Sequence, residues 1–359
     1  MSNSSYKFYK LFVFLIFCLL KSITSLTEKT KCYVLALEGG GDKGAYQAGA
    51  IKGLVDNVPN GETQWDVVTG ISVGSMDAAA LALFDVGNES NAADYLVQTW
   101  RDIQGKRDIY QNWLFGPLQG LLFKSGLYDT TPLRNKIKSV VKDNNLKRKF
   151  VCGATNFVTG TFDSWDDQSL LREEYEDAIV SSGAFPVIFP INQFRGNYYM
   201  DGGVKISVDI ASGINKCLDM GYIDENIVVD VVLLNSKVLP TQDAKNVHPL
   251  GVLVRIMEIY GYDNAMRDFD YIKTVFPKVH FRYVVAPTKA LPSGSIPLTF
   301  SPNEIEVMIG FGQDDAKEVV QKGPGVHLEA LLNIFRKERE TMHGRKKKEN
   351  IKSDLSFLE

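Results

Sequence analysis

Three short motifs contain residue types that could together hydrolyse an acyl ester. The string Gly39-Gly40-Gly41-Asp42-Lys43-Gly44 could present several backbone N–H donors in succession. In Gly70-Ile71-Ser72-Val73-Gly74, flanking glycines allow the sharp turn that exposes a serine hydroxyl. Asp201, in Asp201-Gly202-Gly203, could supply a carboxylate that activates the serine. Ester hydrolysis needs a nucleophile, an acceptor for its proton and donors for the oxyanion, and these motifs offer all three.

Each motif alone has a common alternative interpretation. The glycine string could hold a nucleotide phosphate, but no G-x-x-x-x-G-K-[ST] pattern is present and the dinucleotide fingerprint is matched only as a lone string. Asp-Gly-Gly is most often a simple turn. Lys43 fits a surface position as well as a role in orienting its loop. The motifs are informative because they occur together, since a nucleotide site would leave Ser72 and Asp201 unexplained.

The elements predicted around the motifs indicate an α/β fold. Short apolar runs predict strands, and small or apolar residues at helical spacing predict helices. The predicted strands are residues 33–37, 65–69, 150–155, 227–235 and 279–285. The predicted helices are residues 44–56, 75–84, 175–181, 209–220 and 250–269. Their alternation predicts a mostly parallel sheet with helices on both faces. No internal repeat or low-complexity linker divides residues 30–330, and we assign residues 30–335 to one domain.

The order and spacing of the three motifs resemble the patatin-like phospholipases, and the resemblance covers residues 32–322. Residues 124–129, 182–186 and 300–305 also resemble family motifs. The resemblance implies a three-layer α/β/α sandwich and a Ser–Asp dyad without a catalytic histidine. It makes Ser72 the nucleophile and Asp201 the general base, with Gly70 and Gly74 as the nucleophile elbow. The implied oxyanion hole comprises Gly39, Gly40, Gly41, Asp42, Lys43 and Gly44.

The chain departs from the family pattern in two places. Many members have Asn-x-Pro after Asp-Gly-Gly, whereas Val204-Lys205-Ile206-Ser207 stands here. Lys43 stands where arginine is commoner. The dyad is intact, but the altered loop beside Asp201 leaves the fit of the substrate open.

The resemblance implies a lipid acyl hydrolase that cleaves phospholipids or lysophospholipids at a membrane or micelle surface. Two other functions stay open. All four histidines, His248, His280, His327 and His343, follow Asp201, so a Ser–His–Asp esterase of small soluble esters satisfies the chain order. A non-catalytic lipid-binding or storage protein on the same fold is the second. Because no metal-ligand spacing and no calcium loop is visible, we expect neither a metal nor a cofactor.

The distribution of charged and apolar residues indicates which partners, nucleic acid or membrane, the protein could bind. The formal net charge of −3 gives no reason to expect nucleic acid. Residues 103–131, rich in Trp, Leu and Phe, could contact a membrane or cap the active site, or could simply pack on the sheet. The basic segment 336–352 could bind an anionic surface. It could also be a solvated end, and we predict a basic, disordered tail over residues 336–359.

The first 25 residues predict a secretory signal peptide. Lys7 and Lys10 precede an apolar run over residues 11–20, and small residues surround an expected cut after Ser25. The run is short for a membrane span, which needs about 20 residues, so a signal anchor is the less favoured alternative. We therefore expect a secreted or lumenal protein. Its three remaining cysteines, Cys32, Cys152 and Cys217, allow one disulfide and leave at least one thiol unpaired.

Overall fold

A computed structural model of the chain describes residues 29–59, 61–141, 145–235, 247–292 and 298–342. The predicted signal peptide, His343 and the end of the basic tail lie outside these residues.

The described residues contain eight strands and ten α-helices. The strands are β1 (Cys32–Leu37), β2 (Val67–Gly70), β3 (Lys149–Asn156), β4 (Phe162–Asp166), β5 (Asn192–Phe194), β6 (Asn197–Met200), β7 (Ile227–Val232) and β8 (His280–Val285). The helices are α1 (Gly44–Asn57), α2 (Val73–Ala82), α3 (Glu89–Arg101), α4 (Pro117–Phe123), α5 (Thr131–Val141), α6 (Tyr175–Ser182), α7 (Ile210–Asp219), α8 (Pro249–Val275), α9 (Pro302–Lys322) and α10 (Val326–Met342).

The strands form one mostly parallel sheet, in the order β5-β6-β3-β2-β1-β7-β8, with β4 also paired to β3. The five strands from β3 to β8 along this order are parallel, as the sequence predicted. β4, β5 and β6 pair antiparallel at one edge, and the sequence did not predict them. Their sequences, such as Asn-Gln-Phe for β5, lack the apolar run that identifies a buried strand.

Strand β1 separates two apolar cores. Leu35 and Leu37 belong to the core under α1, α2, α3 and α9, whereas Val34 and Ala36 belong to the core under α7, α8 and α10. Successive side chains of a strand point to opposite faces, so a fully apolar strand serves both cores at once. This is the three-layer α/β/α sandwich expected from the sequence.

The structure decides between the interpretations of residues 103–131. Ile103 and Ile109 are buried, but six large apolar side chains around α4 are 61–87% exposed, so packing on the sheet is wrong for them. These six are Leu114, Phe115, Leu118, Leu121, Leu122 and Phe123. No described helix is both long and apolar enough to cross a membrane.

The predicted disordered tail begins inside a helix. α10 continues to Met342 because its apolar side, including Leu332 and Phe335, is buried in the second core. Arg336 bonds to Asp270 of α8, so the first basic residues are part of the packed domain rather than a free end.

A disulfide joins Cys32, at the start of β1, to Cys217 near the end of α7, with 6.0 Å between their Cα atoms. Cys152 is buried and has a free thiol. The pairing that the sequence left open therefore links the sheet to the helical layer on its second face.

The disulfide should contribute measurably to stability. We expect dithiothreitol to lower the free energy of unfolding of the native protein by about 2–5 kcal/mol, because the cross-link restricts the unfolded chain. Cys32→Ser/Cys217→Ser should show no further effect of reductant, while Cys152→Ala should keep the full effect. Urea titrations with and without reductant measure the difference, and an unchanged midpoint in the native protein would contradict the pairing.

Candidate active site

The parallel strands bring the motifs to one edge of the sheet. In the strand register, Leu37 at the end of β1 lies beside Gly70 at the end of β2 and beside Val232 at the end of β7. The glycine loop after β1, the serine turn after β2 and residues 233–235 after β7 therefore adjoin. The carboxyl edge of an α/β sheet is where such folds bind their ligands.

Ser72 occupies a strained turn between β2 and α2. Its φ of 53° and ψ of −123° are unusual for a residue with a side chain. The flanking glycines are required by contact: a Cβ on Gly70 would lie 2.0 Å from the Gly74 carbonyl, and one on Gly74 would lie 2.5 Å from the Leu37 carbonyl. The turn thus holds Ser72 at the first position before the helix, as the sequence predicted.

Two neighbouring serines fix the turn. The Ser72 N–H donates to Oγ of Ser182 at 2.9 Å, and the Ser75 hydroxyl donates to the Ser72 carbonyl at 2.6 Å. Ser182 ends α6 and begins a string, residues 182–186, that resembled a family motif, but its contact with Ser72 was not predictable from that string. A hydroxyl at this place satisfies an N–H that would otherwise be buried without an acceptor.

Asp201 is held beside Ser72 by its own backbone and by the turn that follows it. Its N–H donates to the Ala184 carbonyl at 2.9 Å, and its carbonyl accepts from Thr155 Oγ1 at 3.0 Å. Oδ1 accepts the Gly203 N–H at 2.8 Å, whereas Oδ2 is buried and, among the described residues, has no partner in regular hydrogen-bond geometry. Oδ2 is therefore the oxygen with capacity for a proton.

The environment of Asp201 sets its protonation. Burial raises the pKa of this carboxyl to about 6, although the Ser72 hydroxyl and the Gly203 N–H, which both stabilise the anion, lower it. The carboxylate consequently interacts with the Ser72 hydroxyl and is ionised near neutral pH. A base with a pKa in this range is suited to accept a proton from a serine.

The glycine loop packs directly against the serine turn. A Cβ on Gly39 would lie 3.0 Å from Cβ of Ser72. The Gly39 N–H already donates to the Ser207 carbonyl at 3.2 Å, so Gly39 itself is not an available donor. Within the described part of the chain, the N–H groups of Gly40, Gly41 and Val73 have no acceptor. These three donors, of which Val73 was not singled out by the sequence, remain for an oxyanion.

The rest of the expected oxyanion loop divides into two roles. Asp42 does not line the cavity beside Ser72; its Oδ2 accepts from the N–H and the hydroxyl of Thr299, both at 2.9 Å, and so anchors the loop. Gly44 begins α1 and packs against Trp100 and Val73. Asp42 and Gly44, both expected in the oxyanion loop, therefore support the loop and do not line the cavity. Lys43 does line the cavity, where its ammonium pairs with Glu258 at 3.2 Å.

A cavity of about 180 Å³ extends from Ser72 and Asp201 between the helices on the first face of the sheet. Much of its wall is apolar and comes from α2, α3, α5 and the loop after α6. These apolar residues include Met76, Ala79, Ala80, Leu96, Trp100, Ile103, Ile137, Phe185 and Phe189. The spacing of Met76, Ala79 and Ala80 along one helix face was the available sequence signal for this wall.

The cavity also has a polar region, formed by Glu38, Lys43, Asn235 and Glu258. Glu38 follows β1 and is fully buried; burial raises its pKa to about 7, while hydrogen bonds from the N–H groups of Leu234 and Asn235 and from the Asn235 side chain lower it. Sequence reasoning missed Glu38, because a single acidic residue after a strand carries no distinctive signal.

None of the described histidines lines this cavity. His248 and His280 are exposed. His280 lies at the amino-terminal end of β8, whereas Ser72 follows the carboxyl-terminal end of the parallel strand β2. His327 is buried with Nδ1 against the Val284 carbonyl. No group of three or more His, Cys, Asp or Glu side chains within the described ranges could hold a metal ion.

Comparison with known proteins identifies the family. Residues 35–212, which contain all three motifs, match the sequence profile of the patatin-like phospholipases. These residues match the patatin-like phospholipase domain, a domain of lipid acyl hydrolases, and the resemblance noted in the sequence is confirmed.

Two individual similarities are more distant. An uncharacterised protein of Acanthamoeba polyphaga mimivirus, L620, is 27% identical over 263 residues, which cover 60% of this chain and 66%, just under two thirds, of the viral protein. VipD from Legionella pneumophila aligns in structure over 82% of this chain and 67% of its own, with 12% identity and a TM-score of 0.36. Neither similarity supports a transfer of residue roles.

The close contact between Gly39 and Ser72 should be intolerant of a methyl group. We expect Gly39→Ala to slow labelling of Ser72 by a fluorophosphonate about 10- to 100-fold, because a displaced loop moves both the hydroxyl and the donors that bind the oxyanion. Gly310→Ala is the matched control, since its Cβ would meet nothing within 4 Å. Equal labelling rates in the two variants, with Ser72 confirmed as the labelled residue, would contradict this account of the loop.

Proposed function

We propose that this protein is a serine-dependent carboxylic ester hydrolase that releases fatty acids from phospholipids or lysophospholipids. Ser72 is the nucleophile and Asp201 the general base, and the N–H groups of Gly40, Gly41 and Val73 bind the oxyanion. The observation that carries the proposal is the buried Asp201 carboxylate beside the strained Ser72 turn, at one end of an apolar cavity.

In the proposed mechanism, Ser72 Oγ forms a bond to the ester carbonyl carbon while its proton passes to Asp201 Oδ2. The tetrahedral intermediate places negative charge on the former carbonyl oxygen, which the loop and helix N–H groups stabilise. Collapse breaks the bond to the alkoxy oxygen, and that oxygen takes the proton from Asp201 and leaves as an alcohol. Water then attacks the acyl-enzyme carbonyl while Asp201 accepts its proton, the bond from the carbonyl carbon to Ser72 Oγ breaks, and Asp201 returns the proton to Oγ as the fatty acid leaves.

The cavity supports a fatty-acyl substrate. Its long apolar wall suits an alkyl chain, because burying apolar chain surface is favourable by about 25 cal/mol per Å². The polar region with Lys43 and Glu258 could face the more polar part of the molecule. Phospholipids and lysophospholipids rank first on family membership, ahead of neutral glycerides and galactolipids.

We also propose that the protein acts in the secretory pathway, either secreted or lumenal. The charged and apolar pattern of residues 1–25 supports a signal peptide. The Cys32–Cys217 disulfide agrees with this location, since disulfides persist mainly in oxidising compartments.

The rival functions are less well supported. A Ser–His–Asp esterase needs a histidine beside Ser72, and His248, His280 and His327 lie outside the cavity. A purely lipid-binding protein would have no need to keep both the strained serine and the buried carboxylate, each of which opposes folding.

Substitution of the dyad tests the function directly. We expect Ser72→Ala and Asp201→Asn each to reduce fatty-acid release from mixed phospholipid vesicles by at least about a thousandfold, with chelator present throughout. Single substitutions of His248, His280, His327 and His343 to Ala are the controls and should retain activity. Loss of activity in one histidine variant with retention in Asp201→Asn would establish the triad instead. Absence of release by the unaltered protein, on phospholipids and on simple esters, would favour the binding protein.

The raised pKa of Asp201 predicts the acid limb of the pH profile. A general base acts only when ionised, so kcat/KM should fall about tenfold per pH unit below a pKa of about 6 and level off above it. Glu38→Gln removes another buried carboxyl of the cavity, whose pKa is about 7, and should leave this limb in place. A limb near pH 7 that disappears in folded Glu38→Gln would show that Asp201 does not set the profile.

A further inference from the structure

The loop of residues 111–129, here called the apolar loop, is a closed structural unit that carries the exposed side chains of α4. Gln111 and Asp129 exchange backbone hydrogen bonds of 2.9 Å at its base. The Trp113 indole N–H donates to the Gly126 carbonyl at 3.0 Å and fixes one side of the loop to the other. The loop is therefore held in shape while its apolar side chains face solvent.

The apolar loop is attached to the wall of the active-site cavity. Its base is flanked by Ile109 and Leu133, and both line the cavity. The N–H groups of Leu127 and Tyr128 donate to the carbonyls of Val187 and Ile188, between the cavity residues Phe185 and Phe189. A surface that binds through this loop would thus be next to the wall that we assign to the acyl chain.

Around α4, several backbone N–H groups of the loop bond within the loop itself. The N–H groups of Gly116, Gln119 and Lys124 donate to loop carbonyls, and the Gln119 side chain accepts from the Phe115 N–H at 3.0 Å. A segment that enters lipid must bond its backbone internally, because hydrocarbon offers no partners.

Charge along the loop also fits a lipid surface. Between residues 113 and 127 the one charged residue is Lys124, and its ammonium lies 5.0 Å from the centre of the Trp113 ring. The carboxylate of the loop, Asp129, lies at its base and accepts from Gln111 and Thr131. A cation beside the exposed aromatic and leucine side chains suits insertion at an interface that carries anionic head groups.

We propose that the apolar loop docks the protein on a phospholipid surface, with Leu121, Leu122 and Phe123 entering the boundary between head groups and acyl chains. This docking deepens the proposed function, because a docked protein would have lipid ester bonds close to Ser72. It rests on the proposed function for that purpose alone. Docking itself does not depend on catalysis.

Vesicle binding tests the docking separately from hydrolysis. In the full-length protein carrying Ser72→Ala, Leu121→Ser/Leu122→Ser/Phe123→Ser should weaken co-sedimentation with phosphatidylcholine–phosphatidylserine vesicles by at least about tenfold. The control Leu171→Ser/Ile223→Ser/Tyr271→Ser removes three side chains of similar exposure (57–65%) outside the loop and should bind as before. Unchanged binding in the loop variant, or equal loss in the control, would overturn the proposal.

Activity measurements separate docking from the proposed chemistry. With Ser72 present, the loop variant should lose at least about tenfold in hydrolysis of vesicle phospholipid but keep its kcat/KM on a soluble short-chain ester, because none of its three substituted residues lines the cavity. Loss of soluble-ester hydrolysis in a folded loop variant would overturn the proposal. The proposal would also be overturned if the unaltered protein forms a dimer and binds no vesicles, and the loop variant is a monomer. Failure of the unaltered protein on every ester would refute the proposed function and leave the vesicle-binding result to decide docking.

Discussion

The burial of a carboxylate beside a strained serine is the constraint on which the rest of this structure depends. Asp201 has its pKa raised from 3.8 to about 6, which corresponds to about 3 kcal/mol against the folded state wherever the carboxyl is ionised in both states. The sign follows from proton binding: the folded protein holds this proton more tightly, so the penalty is complete above pH 6 and is relieved as the pH falls through that value. Hydrogen bonds to Ala184, Thr155 and Gly203 keep the side chain in place against this penalty.

The residues before and after position 212 contribute differently to the site. The family match ends at residue 212 and contains the serine, the aspartate and the glycine loop. The loop, however, is held by residues beyond the match: Thr299 binds Asp42, Glu258 pairs with Lys43, and the Leu234 side chain fills the space that a Cβ on Gly40 would need. In the proposed mechanism the donors of the oxyanion hole must be fixed before the reaction begins, so the later residues would contribute to the chemistry by immobilising the loop.

The local features of the fold were accessible from the sequence because they depend on neighbours in the chain. The strand, turn and helix around Ser72 follow from an apolar run, flanking glycines and a run of small residues. β1 follows from an uninterrupted apolar segment, and β7 and β8 follow from mainly apolar segments that contain Asp230 and Arg282. The antiparallel edge strands were missed because their stability comes from pairing with β3, and three-residue β5 has no pattern of its own.

Contacts between distant residues account for the other differences. Asp42 was assigned to the oxyanion loop, but its side chain bonds to Thr299, 257 residues away, which no local string could indicate. The contact of Ser182 with the Ser72 backbone spans 110 residues in the same way. Exposure of the apolar loop was equally undetermined, since an unbroken group of Trp, Leu and Phe predicts burial as readily as a surface.

The disulfide has a topological consequence that extends beyond stability. Cys32 and Cys217 are 185 positions apart, and the covalent ring that they close contains all three motifs and the whole apolar loop. Exposed segments such as α4 are where proteases cut folded domains most readily. A single cut there leaves both fragments covalently connected through the ring, with the serine on one fragment and the aspartate on the other. A nicked molecule would therefore keep Ser72 and Asp201 in one covalent assembly.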